Sequence, residues 1–162
     1  MLRFEDGLTI EVTSEIAAPV DRVWEAISDI NLSAEFSPEF TGAEWLDDGP
    51  ALGASFKGRN QLGDRQWETT SWVTAFEPGR TFGWSVSDRD NPGATWTFHL
   101  APSASGTTVR YHRLLGPGPS GTTRRIEADP DREHEILTQR NEHHRSGMQA
   151  VVDGLKARLE AD

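Results

Sequence analysis

The last thirty or so residues constrain this chain more than any other stretch. From Asp129-Pro130 to about Glu160 the sequence holds one helical pattern without a break. An Asp N-cap followed by Pro at the first helical position is a start signal: the carboxylate accepts orphan amides and Pro has no amide to lose. Met148, Val151, Val152, Leu155 and Leu159 then recur at helical spacing and predict a buried stripe. Extended backwards, that stripe reaches His144, then Asn141 or Arg140, then Leu137. The half from Arg132 to Arg145 is far more polar, with only Ile136 and Leu137 clearly apolar. At about 1.5 Å per residue the helix reaches roughly 45 Å, longer than a small domain needs to close its core. A helix apolar in one half and polar in the other suits a sheet that grips it and a cavity that it roofs.

The rest reads as strands and turns. Leu8, Ile10, Val12, Ser14 and Ile16 alternate, which predicts a strand with one buried face. Ala18-Pro19 opens a helix carrying Val20, Val23, Trp24 and Ile27, and a second short helix spans Leu32 to Phe36 before Pro38. Six further strands are expected at Ala43–Leu46, Ala54–Gln61, Arg65–Phe76, Thr81–Ser87, Ala94–Leu100 and Thr107–Leu114. The links between them, such as Leu62-Gly63-Asp64, Glu77-Pro78-Gly79 and Ser105-Gly106, are turn-formers short enough for an antiparallel meander. The predicted order is strand, two short helices, six strands, long helix: an α+β fold with about seven strands.

At 162 residues the chain is most simply one domain over 1–162. It has no Cys, hence no disulfide, thiolate nucleophile or cysteine metal site. Neither a signal peptide nor a run approaching a membrane span is visible, so a soluble, cytoplasmic protein is expected, as monomer or homodimer. Residues 1–50 carry twelve Asp or Glu against only Arg3 and Arg22, and the remainder is balanced, so the net charge of −10 sits in the first third. That argues against nucleic-acid binding, which needs a basic face. It leaves a solvated acidic surface or, more sharply, a site for a basic partner protein.

Local phrases in this order resemble the START-like or Bet v 1-like (SRPBCC) superfamily, in its polyketide cyclase/dehydrase branch. They are Ile16-Ala17-Ala18-Pro19-Val20-Asp21-Arg22-Val23-Trp24 with Ile27-Ser28-Asp29, Phe36-Ser37-Pro38, and Trp72-Val73 with Glu77-Pro78-Gly79-Arg80. Trp84, Trp96-Thr97-Phe98, Gly106-Thr107-Thr108-Val109, Gly147-Met148 and Gly154-Leu155-Lys156 extend the likeness over nearly the whole chain. The resemblance implies a helix-grip fold, a curved antiparallel sheet around the terminal helix with two short helices after the first strand. It also implies a hydrophobic cavity for a lipophilic small molecule. It does not fix chemistry, because the superfamily holds carriers, sensors and aromatase/cyclases.

The residues themselves point to such a cavity. On alternation Phe82, Trp84 and Val86 share a face, as do Trp96, Phe98 and Leu100, and Val109 with Tyr111; these faces are expected to point inward. Trp67 and Trp72 have opposite parity, so without a bulge only one of them faces in. Trp67, Phe82, Trp84, Trp96, Phe98 and Tyr111 are therefore the expected ligand walls, and Met148, His144, Asn141 and Arg140 the expected contribution of the helix. His144 and Tyr111 are the candidate acid–base groups, and Arg140 a candidate anchor for a carboxylate or enolate oxygen. Arg110, His112 and Arg113 flank Tyr111 and offer further donors. His143 and His144 point about 100° apart on a helix, so a shared metal is not expected, nor any other cofactor. Gly116-Pro117-Gly118-Pro119-Ser120-Gly121 lacks the ending of a phosphate-binding loop; it reads as a mobile connection that, with a short helix over Thr122–Ala128, forms either a lid or a plain linker.

Two activities are consistent with this reading. One is a binding module holding a lipid, polyketide or aromatic metabolite, with apolar burial supplying affinity and polar groups setting orientation. The other is a polyketide aromatase/cyclase or dehydrase, in which the pocket folds a poly-β-ketone and His144 or Tyr111 moves protons during aldol closure.

Overall fold

Turn chemistry and alternation together build the sheet. The computed structural model describes residues 1–161, so Asp162 of the expected domain lies outside the described residues. Strands β1 (Thr9–Ile16), β2 (Phe40–Trp45), β3 (Ser55–Leu62), β4 (Arg65–Glu77), β5 (Thr81–Val86), β6 (Ala94–Ser103) and β7 (Gly106–Leu115) form one curved antiparallel sheet. Their order is β1-β7-β6-β5-β4-β3-β2. Strands β2 to β7 make the expected meander, and β1 closes the far edge against β7. Gly63 and Gly79, at the β3–β4 and β4–β5 reversals, have φ of 63° and 79°, left-handed values that a Cβ resists.

Between β1 and β2 lie α1 (Val20–Ile27) and α2 (Leu32–Phe36); after β7 come α3 (Gly121–Ala128) and α4 (Glu133–Glu160). The long helix is 28 residues, and its buried positions follow the predicted stripe from Leu137 through His144, Met148, Val151 and Leu155 to Leu159. Its start differs from expectation. Pro130–Arg132 forms a 3-10 turn and Asp129 makes no side-chain cap. The reason is that Asp129 ends α3, donating its N–H to the carbonyls of Arg125 and Ile126. One residue thus joins two helices instead of opening one.

The sheet grips α4 through its apolar half. Val151, Val152, Leu155 and Leu159 share one core with Ile10, Val12 and Ile16. At the rim, Lys156 Nζ donates to the Glu15 carbonyl at 2.6 Å, and the Ala17 N–H donates to Glu160 Oε2 at 2.9 Å.

Gly154 is a poor helix former in mid-helix, and packing explains it: a Cβ there would stand 2.3 Å from the Phe36 ring of α2. Alanine would regain about 1 kcal/mol of helix propensity, against about 1–3 kcal/mol for overpacking. Gly154→Ala is therefore expected to lower stability by up to about 2 kcal/mol in urea unfolding; a stabilised variant would mean that Phe36 swings aside freely.

The acidic first third is partly neutralised within the fold. Glu11 pairs with Arg110 (3.2 Å), Glu39 with Arg140 (2.8 Å) and Glu44 with Arg59 (3.7 Å), each base coming from the balanced remainder. No helix among the described residues is long and apolar enough to cross a membrane.

Candidate functional site

Antiparallel register decides which side chains meet inside the curve. Trp84 lies opposite Trp96, Phe82 opposite Phe98, and Phe98 opposite Tyr111, so three strands present aromatics side by side. These five rings line a cavity of about 490 Å³ between the sheet and α4, and Met148 closes it from the helix. The Phe98 and Tyr111 rings stack with centroids 3.9 Å apart and planes 7° from parallel. Trp67 also lines the cavity, with the Arg65 guanidinium 5.2 Å over its ring. Trp72 instead borders a shallow hollow on the outer face beside Asp47 and Asp88. Parity holds for the two tryptophans because the β4 bulge falls later, between Val73 and Ala75.

His144 reaches the cavity as the stripe predicts. It is 8% exposed, and its ring sits edge-on to Trp96 at 4.9 Å. Its Nδ1 lies 2.9 Å from Arg113 Nη1. A guanidinium can only donate, so Nδ1 is the acceptor and the neutral ring carries its proton on Nε2. Burial, then the nearby Arg140, Arg113 and His143, holds the His144 pKa well below the usual histidine range.

Arg113 is the residue that sequence reasoning left among several flanking donors. It is 0% exposed, on the same inward parity of β7 as Tyr111 and Val109. That parity is readable from Tyr111 and Val109, two and four positions before it. Besides His144 it donates through Nη2 to the Leu8 carbonyl (3.1 Å) and Asn141 Oδ1 (2.9 Å), and its Nε has no partner. Burial, then Arg140 and Arg145, lowers its pKa to about 10, which leaves it cationic at neutral pH.

Asn141 does not line the cavity. It stands one layer back, holding Arg113, while its neighbour Arg140 takes the position on the wall. Arg140 is not a free anchor: it grips Glu39 with two bonds of 2.8 and 3.0 Å. His143 Nε2 lies 3.2 Å from the same carboxylate without a hydrogen bond to it, so the adjacent histidines face different groups, an acid for His143 and Arg113 for His144. Among the described residues no group of three or more His, Asp or Glu is placed to hold a metal. Tyr111 is buried, and burial pushes its hydroxyl well above the usual phenol range, with a Ser33 hydrogen bond partly offsetting the rise.

The cavity is also bordered by α3 and the turn before it, through Pro119, Ser120, Thr122, Arg124 and Arg125. The Gly-Pro run expected to be mobile is tied to the β5–β6 turn. The Gly116 N–H donates to the Gly93 carbonyl and the Gly118 N–H to that of Pro92, both at 2.7 Å.

Known proteins share this architecture. A Polyketide_cyc-like protein from Corynebacterium glutamicum, solved by NMR, is 33% identical with a TM-score of 0.70, over 95% of this chain and 92% of that one. Two crystal structures share the fold at lower identity. A Thermus thermophilus protein, TTHA0849, is 14% identical (TM-score 0.68, 95% of this chain and 98% of that one). Ara h 8.0201 is 12% identical (TM-score 0.61, 96% and 99%). A search of curated proteins finds no match. The sequence profile described as polyketide cyclase / dehydrase and lipid transport matches residues 8–160. With a Bet v 1-like sheet wrapped around α4 and a profile spanning nearly its whole length, this chain belongs to that polyketide cyclase/dehydrase and lipid-transport family, within the START-like, Bet v 1-like superfamily.

Proposed function

We propose that residues 1–162 act as one cytoplasmic domain that holds a small lipophilic molecule, a lipid, polyketide or aromatic metabolite, between the sheet and α4. The observation that carries this reading is the cavity of about 490 Å³, whose sheet side is walled by aromatic side chains while polar and charged groups line other parts of it. A volume of that order suits a small organic ligand. Apolar walls would supply the affinity, and His144 the orientation, through its Nε2–H.

Binding is favoured over catalysis by the state of the two candidate proton carriers. Environment lowers the His144 pKa and raises that of Tyr111, so both stay neutral near pH 7. An effective general acid or base titrates near the working pH. As fixed hydrogen-bond donors they suit a bound carbonyl better than they suit a proton relay. The cyclase/dehydrase alternative rests on the family description.

Titration with the neutral fluorophore N-phenyl-1-naphthylamine tests the reading. Saturable enhancement with a Kd on the order of micromolar is expected, reversed by lipophiles extracted from cells. No saturable signal, together with ligand-free protein in native mass spectra of fresh preparations, would sink it.

A further inference from the structure

Arg113 is a fully buried cation held only by neutral groups. Its partners are a ring nitrogen, a backbone carbonyl and an amide oxygen, and Nε is left unmatched. Among the described residues no carboxylate lies within ion-pair distance of it, although the chain carries a net charge of −10. Removing a charge from water is costly unless a counter-charge or a full set of hydrogen bonds replaces the lost hydration. Here the set is incomplete and the counter-charge is missing. The surrounding ionisable groups deepen the imbalance. From α4, Arg140, Arg145 and His143 bear on this corner, and Glu39 answers Arg140 and His143 without reaching Arg113.

We propose that the ligand is a lipophilic carboxylate, whose head accepts the Nε2–H of His144 with the Arg113 guanidinium directly behind the ring. This rests on the binding reading above and adds the charge of the ligand to it.

Arg113 does not itself line the cavity, whereas His144 does. The imidazole therefore works as a relay. Because Arg113 occupies Nδ1, the proton that His144 presents to the cavity is fixed on Nε2 and is polarised by the cation behind it. The exposed charges on the lining matter less. Arg65, Arg124, Arg125, Asp29 and Glu68 also line the cavity, and all are exposed enough for salt to screen them. Arg113 is out of reach of that screening, and the part-buried Glu39 on the wall is already paired with Arg140.

The test is competition against N-phenyl-1-naphthylamine by 2-naphthoate and by its uncharged analogue 2-naphthalenemethanol, near neutral pH. Wild-type protein is expected to bind the carboxylate at least about tenfold more tightly than the alcohol. His144→Phe, which keeps an aromatic ring against Trp96, and Arg113→Met are each expected to abolish that preference, read as the ratio of the two compounds' dissociation constants measured directly by calorimetry in the same variant. If Arg113→Met fails to fold, the wild-type comparison and His144→Phe still decide. Equal affinity for the two competitors, or a preference unchanged in His144→Phe, overturns the carboxylate assignment and leaves lipophile binding intact. If the fluorophore does not bind wild-type protein, the binding reading fails, and this one with it.

Discussion

Replacing Phe98 with alanine is expected to lower the free energy of unfolding by about 3 kcal/mol, the lower end of the range for a buried phenylalanine. Phe98 is 1% exposed. Its ring lies flat on Tyr111 and meets Trp84 at 6.3 Å, so truncation removes two ring contacts along with the transfer energy. The void would open into the existing cavity, where it adds to space already present instead of leaving a sealed hole, and this keeps the cost from reaching the top of the range. Against a total stability of about 5–15 kcal/mol for a typical domain the loss is still severe. In urea the midpoint should fall with an unchanged slope. A loss below about 1 kcal/mol would show that Phe98 is a dispensable ligand wall.

That dual position, core on one side and cavity on the other, marks how far the sequence could be read. Alternation identified Phe82, Trp84, Trp96, Phe98 and Tyr111 as inward, because a strand offers only two faces and five large aromatics do not share the wet one. The same parity separated Trp67 from Trp72. On α4 the stripe located His144 and Met148, since packing against a sheet imposes the 3.6 period whatever the residue type.

Pairings between distant segments were beyond such rules. Glu39 follows α2 and Arg140 lies on α4, 101 positions later; nothing local announces that they bind each other. The stripe also left Asn141 and Arg140 as equals, and the choice between them was made by β7. Arg113 draws Asn141 toward itself and leaves Arg140 to the wall. Helix boundaries failed for a related reason. An Asp-Pro pair signals a start, but Asp129 was already committed to ending α3.

The buried histidine makes stability depend on pH, and the sign follows from its environment. Burial first, then Arg140, Arg113 and His143, depresses the folded-state pKa of His144 far below its unfolded value of about 6.5. Above that value both states are neutral and the full stability is present. As pH falls below it the unfolded chain takes up a proton that the folded ring refuses. Stability should then drop by up to about 1.4 kcal/mol per pH unit until the folded pKa is reached. His99, whose pKa is lowered chiefly by burial and then by Arg110, acts in the same direction, so His99→Gln is the control. The lowered carboxylates, such as Glu15 and Asp88, act only in more acid solution, which leaves the interval from about pH 6.5 to 5 to the histidines. His144→Asn, whose side-chain oxygen can still accept from Arg113, is expected to flatten the stability profile in that interval even though it is less stable at neutral pH. An unchanged slope would mean that the folded ring does accept a proton. Arg113 would then have to leave it, because a guanidinium cannot donate to a protonated Nδ1 2.9 Å away.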